Sequence, residues 1–141
     1  MGFDYLTPIA IIDRWHGQRR FNYFFSLRCA MEVKETIIVE KSTLRVRTAE
    51  KIKQVLKSNS TELTFEVLSN PEFLAEGTAI QDLYKSDRVL IGSDNTKRGR
   101  EALNSLISLY EKWIPKNKIL KTSVWSAELS KLASNAMLAQ R

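Results

Sequence analysis

The sequence predicts an α/β fold: a sheet of mostly parallel strands joined by crossover helices. Three observations carry this. Short runs of β-branched and apolar residues alternate with stretches whose apolar residues recur at helical spacing. Each run closes on turn-forming residues. The pattern strand, helix, strand, helix then repeats along the chain, which is the grammar of a sheet built from crossover connections.

Residues 1–34 stay unassigned. Ile9 to Ile12 could form a short strand, residues 24–31 suit either strand or helix, and residues 15–25 are aromatic and basic without a period. Regularity begins with Thr36, Ile37, Ile38, Val39 and Glu40, a β-branched run of the kind that forms a buried strand. Lys41, Ser42 and Thr43 make a turn whose hydroxyls suit a cap on the next helix. That helix is marked by Val46, Ala49, Ile52, Lys53, Val55 and Leu56.

Residues 65–68 form a second strand, ended by Ser69, Asn70 and Pro71, and residues 88–92 a third. Residues 96–113 predict an amphipathic helix with Ala102, Leu103, Leu106, Leu109, Tyr110 and Trp113 on its apolar side. It stops before Pro115, because the residue preceding a proline disfavours helical geometry. Residues 118–122 give a fourth strand, followed by a helix from Val124 onward.

Composition excludes several classes. Hydrophobic residues make up 43% and charged residues 27% of the 141, as in a folded domain rather than a disordered chain. The net charge of +6 admits an anionic ligand, but the basic residues form no stripe interleaved with aromatics, so no nucleic-acid partner is expected. Cys29 is the single cysteine, which rules out an intrachain disulfide and a thiolate zinc centre. No metal site is expected. The apolar stretch from Tyr5 to Ile12 is too short to span a bilayer and lacks a basic start, so the expectation is a cytoplasmic protein without a membrane partner. No G-x-G-x-x-G occurs, so the usual phosphate-cradling turn for a dinucleotide is missing.

Three groups could carry chemistry. On the last helix Leu129, Leu132, Ala133, Ala136 and Gln140 fall on one side as a packed stripe, while Glu128, Lys131 and Asn135 fall on another. Residues four apart stand about 6 Å apart along a helix axis, so Lys131 and Asn135 can reach one small ligand and stabilise a negative oxygen. The alternative is a solvated surface on which Lys131 pairs with Glu128. Glu72 and Glu76 follow a strand end, where open α/β sheets bind ligands, and a carboxylate against Phe73, Leu74 and Ala75 could act as a general base. The alternative is a loop whose acids cap backbone N–H groups. Ser42 and Thr43 stand at another strand end and could bond a phosphate, a ribose or a reacting hydroxyl, or serve only as a cap.

The strings VLSNPEFLAEGTAI at residues 67–80, DRVLIG at 87–92, WSAELSKLASNA at 125–136 and LAQR at 138–141 closely resemble UDP-glucose 6-dehydrogenases, in the same order. The string EKST at 40–43 is similar to that family's cofactor-side turn. The resemblance covers about three-quarters of the chain and implies the second half of a Rossmann-like NAD-binding domain, ending in the start of a long connecting helix. Its divisions would be residues 1–34 unassigned, 35–122 a partial α/β domain, and 123–141 the start of the connector.

The resemblance implies NAD-dependent oxidation of UDP-glucose to UDP-glucuronate by two hydride transfers, in an enzyme that is a homo-oligomer when intact. Glu72 would be the acid/base that activates water, Lys131 and Asn135 would hold the oxyanion, and Thr43 would join the water network at the reacting carbon. Phe73, Leu74 and Ala75, with Leu132, Ala133 and Ser134, would line the substrate. Glu76 would lie between substrate and nicotinamide, and Ser42, Thr43 and Leu44 would touch NAD. The family's Gly-rich NAD turn and its nucleophilic cysteine have no counterpart here, and Cys29 precedes every motif. Arg45 stands where the family usually has proline. The chain is therefore expected to carry part of the substrate site and to be inactive alone. The alternatives are a non-catalytic fragment that associates with full-length subunits, and a dehydrogenase for another nucleotide sugar such as GDP-mannose.

Overall fold

In the computed structural model, which describes residues 9–12, 35–59, 64–74 and 77–140, five strands form one sheet. They are β1 (Ile9–Ile12), β2 (Glu35–Glu40), β3 (Thr64–Ser69), β4 (Val89–Ser93) and β5 (Ile119–Ser123), side by side in that order. β1 pairs β2, β2 pairs β3 and β4 pairs β5, all in parallel. β3 meets β4 antiparallel, at Ser69 and Gly92 only. The sheet is thus mostly parallel, as expected, but that connection is not a crossover.

The helices are α1 (Thr48–Asn59), α2 (Ala79–Tyr84), α3 (Lys97–Tyr110) and α4 (Val124–Ala139). α2 was not foreseen in the sequence. It is a single short helix with no buried residue, so it carries no apolar stripe to read. The expectation for residues 24–31 falls outside the described residues.

The alternation of β2 explains the layering, since successive strand side chains point to opposite faces. Ile37 and Val39 join Leu68 and Ile91 under α3, whose Ala102, Leu103, Leu106, Ile107 and Tyr110 are buried against them. Ile38 points the other way with Val67, onto Ala49, Ile52 and Leu56 of α1 and Val124 of α4. Both faces are covered, which is why these strands are apolar throughout rather than alternating. The apolar side of α3 is shifted from the expected one: Leu109 and Trp113 are each 37% exposed, and Ile107 and Ile114 are buried instead.

Two helix starts differ in kind. Thr96 caps α3 locally, its hydroxyl accepting from Gly99 N at 2.9 Å. The expected cap from Ser42 or Thr43 on α1 does not form, because α1 begins only at Thr48. Arg47 precedes it with a positive φ of 76°, and Thr48 turns its hydroxyl to Arg45 O at 2.7 Å. α4 packs so closely on β4 that a methyl group on Gly92 would lie 2.7 Å from both Ala127 Cβ and Ser123 O.

Candidate functional site

β2 and β3 are parallel and in register from Glu35 with Thr64 to Glu40 with Ser69, so both chains leave the sheet at one edge. The turn after Glu40 and the loop after Ser69 start side by side, stitched by Asn70 N donating to Glu40 O at 2.7 Å. α4 starts beside Gly92 and passes over these tips.

A narrow crevice with a cavity volume of about 20 Å³ lies between Lys41, the 70–74 loop, Arg88 and Tyr110. Its floor is a polar network. Asn70, 2% exposed, donates through Nδ2 to Leu90 O at 2.9 Å, and its Oδ1 accepts from Tyr110 Oη at 2.6 Å and Lys41 Nζ at 3.2 Å. Lys41 also donates to Tyr110 Oη at 3.1 Å and pairs with Glu72 Oε1 at 3.0 Å. Burial works to lower the pKa of the Lys41 ammonium, but Tyr110 and Glu72 outweigh it and hold it above the usual lysine value. Glu72 is therefore held by a fixed cation at the crevice wall.

Phe73, the next residue, is faced by two further cations: Lys131 Nζ lies 5.1 Å and the Arg88 guanidinium 5.5 Å from its ring centroid. Lys131 thus comes from the far helix to the residue beside Glu72. Asn135 is one turn further along α4 and exposed, Thr43 is half-buried in the turn after β2, and Ser42 and Leu44 are half-buried beside it. Leu132 and Ser134 are half-buried, Ala133 exposed, and Leu74 half-buried in the loop. Ala75 and Glu76 fall outside the described residues.

The faces of α4 differ from the expected ones. Leu129 is 57% exposed, and Ala133, Ala136 and Gln140 are also exposed, so that stripe is not packed. Val124, Ala127 and Glu128 are the buried residues. Glu128, expected on a solvated face beside Lys131, is 3% exposed and accepts Arg47 N at 2.6 Å and Ala49 N at 3.0 Å. Glu40, 1% exposed, lies beside it, and burial first, then the charge of Glu128, pushes the Glu40 carboxyl up to about 8.

Sequence reasoning singled out none of Lys41, Asn70, Tyr110 and Glu128 for these contacts. A signal existed for Glu128: it follows Ala127 and stands four residues after Val124, on the inward stripe of α4. Lys41 and Tyr110 are 69 residues apart, and no local pattern links them.

A mostly parallel sheet covered on both faces, with a charged crevice at its strand tips, defines an α/β domain of Rossmann-like build. Residues 26–114 match the UDP-glucose/GDP-mannose dehydrogenase family, NAD binding domain, and the chain belongs to that family. It is 58% identical over 107 residues to UDP-glucose 6-dehydrogenase 3 of Oryza sativa subsp. japonica, covering 76% of this chain and 22% of the rice protein. It is 59% identical over 105 residues to UDP-glucose 6-dehydrogenase 1 of Arabidopsis thaliana, covering 74% and 22%. A UDP-glucose dehydrogenase from the hyperthermophilic archaeon Pyrobaculum islandicum superposes with a TM-score of 0.69 at 32% identity, over 78% of this chain and 24% of the archaeal one. The chain spans about a fifth of the length of the curated relatives it matches. Among the described residues no cluster of His, Cys, Asp and Glu suits a metal ion, and no helix is long and apolar enough to cross a membrane.

Proposed function

We propose that this chain forms part of a UDP-glucose 6-dehydrogenase site, in a protein that oxidises the C6 alcohol of UDP-glucose to UDP-glucuronate. The observation that carries the reading is the Lys131 ammonium over the Phe73 ring, which brings the motif on α4 against the loop motif at the residue next to Glu72. Glu72 is the acid/base that takes a proton from water, with Lys41 fixing its carboxylate. Lys131, with Asn135 a turn away, stabilises negative charge on the oxygen at C6. Phe73, Leu74 and Ala75, with Leu132, Ala133 and Ser134, line the sugar nucleotide.

Ser42, Thr43 and Leu44 suit the edge of a nicotinamide cofactor: they lie half-buried at a strand tip, and two of them carry hydroxyls. Thr43 joins the water network at C6. NAD supplies the hydride acceptor when bound. The partial α/β domain covers residues 35–122 and the start of the connector residues 123–141, with Ser123 capping its helix α4.

The test is titration of the ¹⁵N-labelled chain with UDP-glucose. Saturable shifts at residues 70–74 and 131–135 are expected, with a weaker response to GDP-mannose, and no response to either sinks the reading. The 141 residues alone are expected to give no sustained NADH absorbance with UDP-glucose and NAD⁺, because they contain no G-x-G-x-x-G turn to position the acceptor. A second reading, association with full-length subunits, is favoured by the exposed apolar residues of α4, since Leu129, Met137 and Leu138 are 57%, 72% and 69% exposed. Co-purification with a full-length subunit tests it.

A further inference from the structure

We propose that Glu128 is a positioning residue, which ties the helix carrying Lys131 and Asn135 to the turn carrying Ser42, Thr43 and Leu44. The inference rests on the reading of those groups as substrate-side and cofactor-side.

Three features support it. First, Glu128 does for α1 what local capping residues usually do. Thr48 has turned its hydroxyl to Arg45 O, and the N–H groups of Arg47 and Ala49 go to a carboxylate from 81 and 79 residues away. A carboxylate at a helix N-terminus is doubly favoured, by charge-assisted hydrogen bonds and by the helix dipole.

Second, the same carboxylate holds both ends of the turn. Glu40, the last residue of β2, stands beside Glu128 on one side, close enough for that carboxylate to raise its pKa, and Arg47 N donates to Glu128 on the other. Residues 41–46 lie between these two anchors, so the path of Ser42, Thr43 and Leu44 is set by where α4 puts Glu128. Lys131 is three residues further on the same rigid helix, about 4.5 Å along its axis. A shift of α4 that moves Lys131 must move the turn as well.

Third, the charges leave this contact one stable form. Glu128 is faced by the Glu40 carboxyl from β2 and by the N-terminus of α1. The Arg47 guanidinium is turned to Glu50 at 2.7 and 3.0 Å, and against the Trp125 ring at 5.7 Å. Two buried carboxyls in contact cannot both ionise cheaply. Burial first, then the neighbouring Glu128, favour the protonated form of Glu40. Oε2 of Glu40 is buried with no hydrogen-bond partner, which an ionised Glu40 would tolerate poorly. The clamp therefore loosens when that proton leaves.

Residue-resolved amide exchange of the ¹⁵N-labelled chain tests this. Glu128→Gln replaces a charged double acceptor with a neutral amide, so exchange at Arg47 and Ala49 is expected to quicken about tenfold or more. Resonances of residues 42–44 should shift while β3 amides keep their protection. Unchanged protection at Arg47 and Ala49 overturns the proposal.

Glu40→Gln keeps a donor toward Glu128 but cannot titrate, so it decides the matter even if Glu128→Gln fails to fold. In the unsubstituted chain, protection at the two amides, corrected for base catalysis, should drop as pH rises through about 8. A drop of equal depth in Glu40→Gln overturns the proposal. Adding UDP-glucose should raise protection at Arg47 and Ala49, and less so in Glu128→Gln. If UDP-glucose does not bind at all, the reading of the site fails and the exchange data still decide the clamp. If it binds and residues 42–49 do not respond, the clamp does not couple the two groups and the proposal falls.

Discussion

The Lys131 ammonium lies 5.1 Å from the centroid of the Phe73 ring, joining α4 to the loop after β3. A cation over an aromatic face contributes about 0.5–2 kcal/mol, more where water is excluded. The contact also guides where Lys131 points, because it gives the tip of a flexible four-carbon stem a rigid surface. Phe73→Ala should therefore weaken UDP-glucose binding about tenfold, as much by freeing Lys131 as by removing lining. Isothermal titration of Phe73→Ala and Phe73→Leu tests this. Leu restores apolar lining but not the cation contact, so equal binding by Phe73→Leu and the unsubstituted chain would refute the role of the ring.

Asn70 should matter more to stability than any surface group near it. It is buried and occupied on both ends of its amide, by Leu90 O on one and by Tyr110 Oη and Lys41 Nζ on the other. Asn70→Leu removes that partner and leaves the Leu90 carbonyl without this donor, and a buried polar group so stranded costs about 1–3 kcal/mol. Urea unfolding should show a loss of about 2–4 kcal/mol for Asn70→Leu and about 1 kcal/mol for Tyr110→Phe. The double variant should lose less than the sum, because both act through one network. Strict additivity would show that the two are independent.

The elements that periodicity reveals were legible in the sequence, and the contacts that close the site were not. Ile37, Ile38 and Val39 announce a buried strand because both of its faces are covered, and Thr96 announces a helix start because its cap is local. Lys131 and Asn135 share a helix, so their nearness follows from spacing alone. The cap of α1 was misread onto Ser42 and Thr43 because the residue that does the work, Glu128, comes from another helix. α4 was turned wrongly for a related reason. Its residues 129, 132, 133 and 136 form the more apolar stripe, but the sheet takes the side carrying Val124, Ala127 and a buried glutamate. A charged residue at the centre of a packed face is compensated by distant partners, and no local pattern records it.

Gly92 should tolerate no side chain. A methyl group there would meet Ala127 Cβ and the Ser123 carbonyl at 2.7 Å and Val124 Cα at 2.9 Å, and two of these three are backbone atoms that cannot rotate away. Relief requires α4 to move off the sheet, and overpacking of this kind costs about 1–3 kcal/mol. Gly92→Ala should lower Tm, and it should also disturb Lys131, because the helix that must shift is the one that carries it. Paired substitution Ala127→Gly removes one of the three close contacts and should recover part of the loss. No change in Tm for Gly92→Ala would mean that α4 is not seated as closely as its contacts indicate.

The buried pair of Glu40 and Glu128 makes stability depend on pH in an unusual direction. Most carboxylates in folded proteins have lowered pKa values and stabilise as pH rises. Glu40 is raised instead, from 4.5 to about 8, so between those values the folded chain holds a proton that the unfolded chain has lost. Stability from this group is full below about pH 4.5, falls through the interval by at most about 1.4 kcal/mol per pH unit, and levels off above about pH 8. Glu40→Gln is neutral in both states and removes this slope. Its urea midpoint should lie near that of the unsubstituted chain at pH 5 and above it at pH 9. Parallel pH profiles for the two proteins would mean that Glu40 ionises normally and that the two carboxyls are not in contact.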